Sequence, residues 1–591
     1  MKKRRKKPAK NNIVFGVLLI GIITVSFLAI AILQLQNNKQ SQNSSLQAAG
    51  QVAWPVFDGD AQKSGANNNE PGITTTTVSS FKQIWQTGVS ADGSPVYLSG
   101  VNTAQGVKNL VYITSKNGTL TAYDEATGKQ VWSAATSGFS GTITSSPAID
   151  PNHQFIYSYG KDGKVHKYAA GSGNEETTGG WPVTITLMPS VEKGSSAIAI
   201  SNSYLYMVTS AYPGDNGQYV GHIVAKNLSS GAVTVFNSLC SSNKELINGT
   251  CSSRESGIWS RPGVVVDPAS GNVFVSTGNG PYNPPNDLGD SVIELTPDLS
   301  SVVDTYTPSN QQQLNGNDQD LGSTSPVIVP GVGLVVQGGK DDTIRVLNIK
   351  NLSGQSAPYH IGGELQSLPV ECNIFTQPIS WVNGGTTWVF VTDQCNNLYG
   401  YKASTTGLQQ VYKKSGSGGS SPLIVSGMLF IQSSGSIRAI DPATGGVLWS
   451  GAVGGRHWQS PAVINGHIFV IDNSNLTAFA VPNGNSPTSS SPPMQAISPT
   501  FTVIGDCTVN NNCPTGTTAA PTIGTNPSIL PTANITLVVV SQALSQAPIN
   551  NLTQTPEQPQ QPGSQNLLQL LIQFILFILE FLIKLFNPIG H

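Results

Sequence analysis

Ala122-Tyr-Asp-Glu-Ala-Thr-Gly-Lys-Gln-Val-Trp132 and Ala439-Ile-Asp-Pro-Ala-Thr-Gly-Gly-Val-Leu-Trp449 are two copies of one pattern set far apart in the chain. In each, an Asp closes a short apolar run, a Thr-Gly pair follows, and a Trp stands four residues after the Gly. Glycine can take the positive φ of a tight hairpin, and a Trp on the returning strand can wedge its flat ring against a neighbouring sheet. Upstream, both copies are preceded by the same punctuation. Asn109-Leu-Val-Tyr-Ile-Thr114 runs to a turn at Asn117-Gly118 and then to Leu120, and Met428-Leu-Phe-Ile431 runs to Ser434-Gly435 and then to Ile437. Short apolar runs divided by Gly, Asn and Asp turns are the writing of antiparallel β structure.

Working outward, one mark recurs eight times: a polar residue, then Pro or a small residue, then an apolar strand. The marks are Ser94-Pro95-Val96, Ser146-Pro147-Ala148, Ser196-Ala197-Ile198, Arg261-Pro262-Gly263, Ser325-Pro326-Val327, Gln377-Pro378-Ile379, Ser421-Pro422-Leu423 and Ser460-Pro461-Ala462. Their spacings of 52, 50, 65, 64, 52, 44 and 39 residues match what a four-stranded blade consumes, about 40 to 50 residues. The expected fold is therefore all-β, an eight-bladed β-propeller over residues 54–484. The eighth repeat stops after Leu476-Thr-Ala-Phe-Ala-Val481 without its fourth strand, while Phe81-Lys-Gln-Ile-Trp85-Gln-Thr87 precedes the first repeat as an orphan strand carrying a Trp. That strand is expected to complete blade eight and close the ring, leaving no open sheet edge.

The A-x-D-x-x-T-G-x-x-x-W pattern resembles the repeat of pyrroloquinoline-quinone-type (quinoprotein-like) propellers, and the resemblance spans most of residues 54–484. Only the two quoted copies are complete; Gly179-Gly180-Trp181 in blade two and Thr406-Gly407 with Tyr412 in blade six are partial. Gly278-Asn-Gly-Pro-Tyr-Asn283 resembles the stretch that supplies a calcium-ligating Asn in quinoprotein alcohol dehydrogenases. Asp318-Gln-Asp320-Leu and Gly339-Lys340-Asp341 resemble the stretches that carry their catalytic Asp and quinone-contacting basic residue. The resemblance implies Asn279 as a calcium ligand, Asp320 or Asp318 as the base, and Lys340 with Trp259 at the quinone. The chain departs from that family in having no adjacent cysteines to form the vicinal disulfide over the quinone, and no matching Glu ligand. The expectation is a binding or scaffolding module for a protein or glycan partner with no cofactor. The alternative is an alcohol or sugar dehydrogenase dependent on pyrroloquinoline quinone and calcium.

Composition agrees with turn-rich β structure: 10% of the 591 residues are charged, with 62 Gly and 38 Pro. A net charge of -2 disfavours a nucleic-acid partner. Seven basic residues crowd the first ten positions, ahead of a run without charge from Ile13 to Leu33. At about 1.5 Å rise per residue that run spans a bilayer core, so 1–12 is read as a cytoplasmic tail, 13–35 as a transmembrane helix, and the propeller as lying outside the cytoplasm. Residues 36–53 read as a polar stalk and 485–563 as a disordered Pro/Ser/Thr-rich linker. Residues 564–591 read as a membrane-associated hydrophobic helix, with Gln569, Gln573, Glu580 and Lys584 on one narrow face. The six cysteines fall into close pairs, Cys240 with Cys251, Cys372 with Cys395 and Cys507 with Cys513, as local disulfides in an oxidising compartment would.

Overall fold

The computed structural model describes residues 51–482, apart from 69, 213–216, 250 and 456. The helices expected at 13–35 and 564–591, residues 36–50 of the stalk, the linker 485–563 and the Cys507–Cys513 pair lie outside those residues. Among the described residues no helix is long and apolar enough to cross a membrane.

Eight antiparallel sheets, each with four main strands, succeed one another along the chain. Every mark stands immediately before the innermost strand of its blade, from Val96–Thr103 in blade one to Ala462–Ile464 in blade eight. The Ser of the mark has a physical purpose. The Ser94 N–H donates to the Ser146 hydroxyl (2.7 Å), the Ser460 N–H to the Ser94 hydroxyl (2.8 Å), and the Gln377 N–H to the Ser421 hydroxyl (2.9 Å). Each side chain thus accepts from the adjacent blade, and the marks stitch neighbouring blades together around the channel where inner strands have no other partner.

Closure occurs as expected. Lys82–Gly88 pairs antiparallel with Asn475–Ala480, from Lys82 opposite Ala480 to Gly88 opposite Asn475, and forms the outer strand of blade eight. Aromatic residues of four outer strands, those of blades eight, one, seven and six, then dock on the following blade. Trp85 Nε1 donates to the Glu125 carbonyl (2.6 Å), Trp132 Nε1 to Ala170 (2.9 Å), and Trp449 Nε1 to Phe81 (3.2 Å). Tyr412 takes the same role in blade six, donating to Pro442 (3.0 Å). Gly128 of the first Thr-Gly pair has φ +66°, and a Cβ there would stand 2.5 Å from the Trp85 ring. Thr-Gly and Trp therefore pair between blades: the Gly of one receives the ring of the one before.

One feature has no counterpart in the repeat pattern. Residues 53–70 thread the end of the channel away from the marks. Ala53–Trp54 pairs with Tyr97 and Leu98 of blade one, and Ala66–Asn67 lies parallel to Ile424–Val425 of blade seven. Between them the Pro55, Ala61 and Gly65 carbonyls accept N–H donors from Ile149, Val266 and Ile424 at 2.7 to 2.9 Å. Glu70 then accepts the Gly466 N–H at 2.7 Å. Asp58 and Lys63 on this plug are fully buried. The expected stalk thus becomes part of the fold by Gln51, whose side chain donates to the Ser99 carbonyl (2.9 Å). The plug closes the channel at one end, so the opposite, mark-bearing end is a blind chamber.

Candidate functional site

The loops leading into the inner strands, and the turns between second and third strands, emerge around the open end of the channel. They enclose a chamber of about 560 Å³, a size suited to a small molecule. Asp318, Asp320, Lys340 and Trp259, all singled out from the sequence, line it.

Their contacts are mutual. Lys340 Nζ forms ion pairs with Asp320 and, at 3.0 Å, with Asp318 Oδ1, and it lies 5.3 Å from the Trp259 ring centroid. The Asn279 N–H donates to Asp320 Oδ1 (2.7 Å), and Asn279 Nδ2 donates to Asp318 Oδ1 (2.8 Å). Gly278 permits this approach, since a Cβ there would collide with Asp320 Oδ1. Burial works against the charged form of Lys340, but the Asp320 and Asp318 carboxylates together outweigh it and hold the ammonium's pKa above its ordinary value. Behind them Asp290 accepts the Leu321 N–H (3.1 Å), and burial, reinforced by Asp320, pushes its carboxyl up to about 8.

A second cluster lies in the same chamber. Arg261, the polar residue of the fourth mark, donates through Nη2 to Asp92 Oδ2 (2.8 Å), and its guanidinium lies 5.0 Å from the Trp458 ring. His457 Nδ1 meets Asp92 Oδ1 at 2.6 Å. Burial opposes ionisation of Asp92, yet Arg261 and His457 hold its pKa below the usual carboxylate range. Lys193 lies beside them, and burial, then Arg261, brings its pKa down to about 7. Phe375 and Trp458 stack at 4.5 Å and 11°, with Trp259 tilted against Phe375 at 5.8 Å. Asp92, Lys193 and Phe375 sit in runs that carry no motif. Arg456 lies outside the described residues.

Two disulfides brace the surrounding loops. Cys372–Cys395 links the loop before blade six to that blade's second turn, and Cys240–Cys251 folds the loop before blade four onto Val220, Leu239 and Ile247.

The oxygen donors here fall short of a calcium site. Asn279 Oδ1 is a buried oxygen without a hydrogen-bond partner, but Asp318 and Asp320 are already engaged by Lys340 and Asn279. Among the described residues no group of three His, Cys, Asp or Glu side chains could hold a metal. The residues present do not complete a calcium site, and no chemical step is routed through one.

Eight radial sheets, interblade Trp docking and a central chamber define the class: a quinoprotein-type eight-bladed β-propeller. The chain belongs to the family described as outer membrane protein assembly factor BamB, whose model matches residues 72–345 and 378–508. Solved structures similar to it include the quinohemoprotein alcohol dehydrogenase of Comamonas testosteroni, at 14% identity over 73% of this chain and 80% of that one, TM-score 0.51. A europium-containing methanol dehydrogenase matches at 14% identity over 72% and 98%, TM-score 0.53. BamB from Moraxella catarrhalis matches at 12% identity over 68% and 99%, TM-score 0.45. At such identities the likeness concerns the fold alone. No curated relative matches the chain.

Proposed function

We propose that this chain is a membrane-anchored, extracytoplasmic β-propeller that binds or scaffolds a protein or glycan partner through its loop face. The observation that carries this is the blind chamber itself, closed behind by the plug and braced in front by ion pairs and disulfides. Family membership supports the scaffolding part. Geometry supports the orientation: Gln51 packs near the turn after the first inner strand, and Pro482 follows the third strand of blade eight, so the chain enters and leaves on the face opposite the chamber. Apolar segments at both ends would hold that face toward the bilayer and leave the chamber free.

A photo-crosslinking residue at Phe139, exposed on the loop face, is expected to capture a partner, while one at Val107, exposed in the hairpin on the opposite face, is not. Absence of adducts at 139, or equal adducts at both positions, refutes the proposal.

One observation favours the alternative of a pyrroloquinoline quinone and calcium dependent alcohol or sugar dehydrogenase: the convergence of Asn279, Asp318, Asp320, Lys340 and Trp259. Dye reduction by the protein supplied with quinone, calcium and an alcohol or sugar, lost in Asp320→Asn, would establish it. No reduction removes it.

A further inference from the structure

Five basic side chains, Lys116, Lys193, Arg261, Lys340 and His457, line the chamber against three carboxylates, Asp92, Asp318 and Asp320. Asp92 takes up Arg261 and His457, and Asp318 and Asp320 take up Lys340. Lys193 and Lys116 also line the chamber, yet neither has a carboxylate in ion-pair contact among the described residues. Lys193 is the more telling, because it is 6% exposed and its amino group donates to the Thr144 hydroxyl (2.6 Å), while the Arg261 guanidinium disfavours its charged form more than the Asp92 carboxylate favours it. Arg261 Nε is likewise buried without an acceptor. An ammonium held out of water beside another cation is unfavourable unless an anion joins them. The fold nonetheless keeps both in place, on an inner edge strand of blade three and in the mark of blade four.

Facing this cationic corner is a flat apolar shelf, the stacked Phe375 and Trp458 with Trp259 alongside. Asp318 is engaged by Lys340 and Asn279 through Oδ1 and is exposed, so its Oδ2 remains an acceptor, and Ser195 and Ser210 also line the chamber. A ring with one carboxylate and several hydroxyls satisfies all of these at once. A carboxylate side chain on a peptide would use the cations but lay no hydroxyl-bearing ring on the shelf.

We propose that the chamber binds a carboxylate-bearing saccharide, a uronic acid residue. Its carboxylate meets Lys193 on the Arg261 side, its ring lies on the aromatic shelf, and a hydroxyl donates to Asp318 Oδ2. This rests on the binding-module function and names the ligand of the same chamber.

The test is calorimetric titration of the full chain in detergent with D-glucuronate, with D-glucose as its neutral counterpart, and with an acidic tetrapeptide and pyrroloquinoline quinone plus calcium in parallel. Glucuronate is expected to bind saturably and at least tenfold more tightly than glucose. Lys193→Gln abolishes that preference and Lys193→Arg retains part of it. The melting temperature of ligand-free Lys193→Gln does not fall, because the substitution removes a buried charge rather than a support. Equal affinity for the two sugars, an unchanged preference in Lys193→Gln, or a lowered melting temperature in that variant overturns the proposal. So does binding of the peptide or the quinone with glucuronate silent. If glucuronate fails while position 139 still yields adducts, the saccharide assignment falls and the binding module stands; if both fail, both fall.

Discussion

Ring closure by Lys82–Gly88 makes a quantitative prediction at Trp85. Its side chain is 9% exposed, packs on Gly128 of blade one, lies 6.1 Å from Phe469, and donates to the Glu125 carbonyl. Truncating a buried Trp to Ala destabilises by about 3 to 5 kcal/mol, and the orphaned Glu125 carbonyl adds about 1 kcal/mol. Trp132 provides the internal control, since it makes the same ring-on-glycine contact and carbonyl bond across the seam between blades one and two, which are contiguous in the chain. In urea unfolding followed by far-ultraviolet circular dichroism, Trp85→Ala and Trp132→Ala are expected to lose similar stability. Trp85→Phe, which keeps a ring but not the N–H, should lose clearly less than either. If Trp132→Ala is destabilised and Trp85→Ala is not, the N-terminal strand does not close the ring.

Glu70 couples the plug to pH. Burial, against its hydrogen bonds from Gly466 and Asn67, pushes its carboxyl up to about 7. A raised acid pKa contributes stability that is fully present below the unfolded value of about 4.3 and is lost as pH rises through about 7. Glu70→Gln should therefore flatten the fall in melting temperature over that window, by on the order of 3 kcal/mol; identical pH profiles for wild type and variant would contradict the placement. Cys372–Cys395 closes a loop with a sequence separation of 23. Its removal in Cys372→Ser with Cys395→Ser should lower stability by about 3 kcal/mol on the chain-entropy account. A reductant-insensitive melting temperature in the wild type would show that the bond does not form.

The blades were legible because their signals are local. A Thr-Gly hairpin, an alternating strand and a Ser-Pro mark each declare themselves within about ten residues, and turn chemistry depends on the residues of the turn. Even the long-range closure could be read, because a missing strand at one end and a spare Trp-bearing strand at the other are complementary defects. The site was half legible. Asn279, Asp318, Asp320, Lys340 and Trp259 stood in recognisable stretches and do converge, whereas nothing around Asp92 or Lys193 distinguishes them from ordinary loop polar residues.

The amino-acid pattern alone established eight sheets, their seams and the strand that joins the ends, since each rests on short-range periodicity and on turn residues with restricted backbone choices. Only the folded ring decided that this segment plugs the channel, since its partners lie in blades one, two, four, seven and eight and no periodicity marks it. It also decided which charges meet: Arg261 finds Asp92 across 169 positions of sequence, and Lys193 has no carboxylate in ion-pair contact among the described residues. Electrostatic pairing depends on distance in space and exclusion of water, and neither is written in the order of residues along the chain.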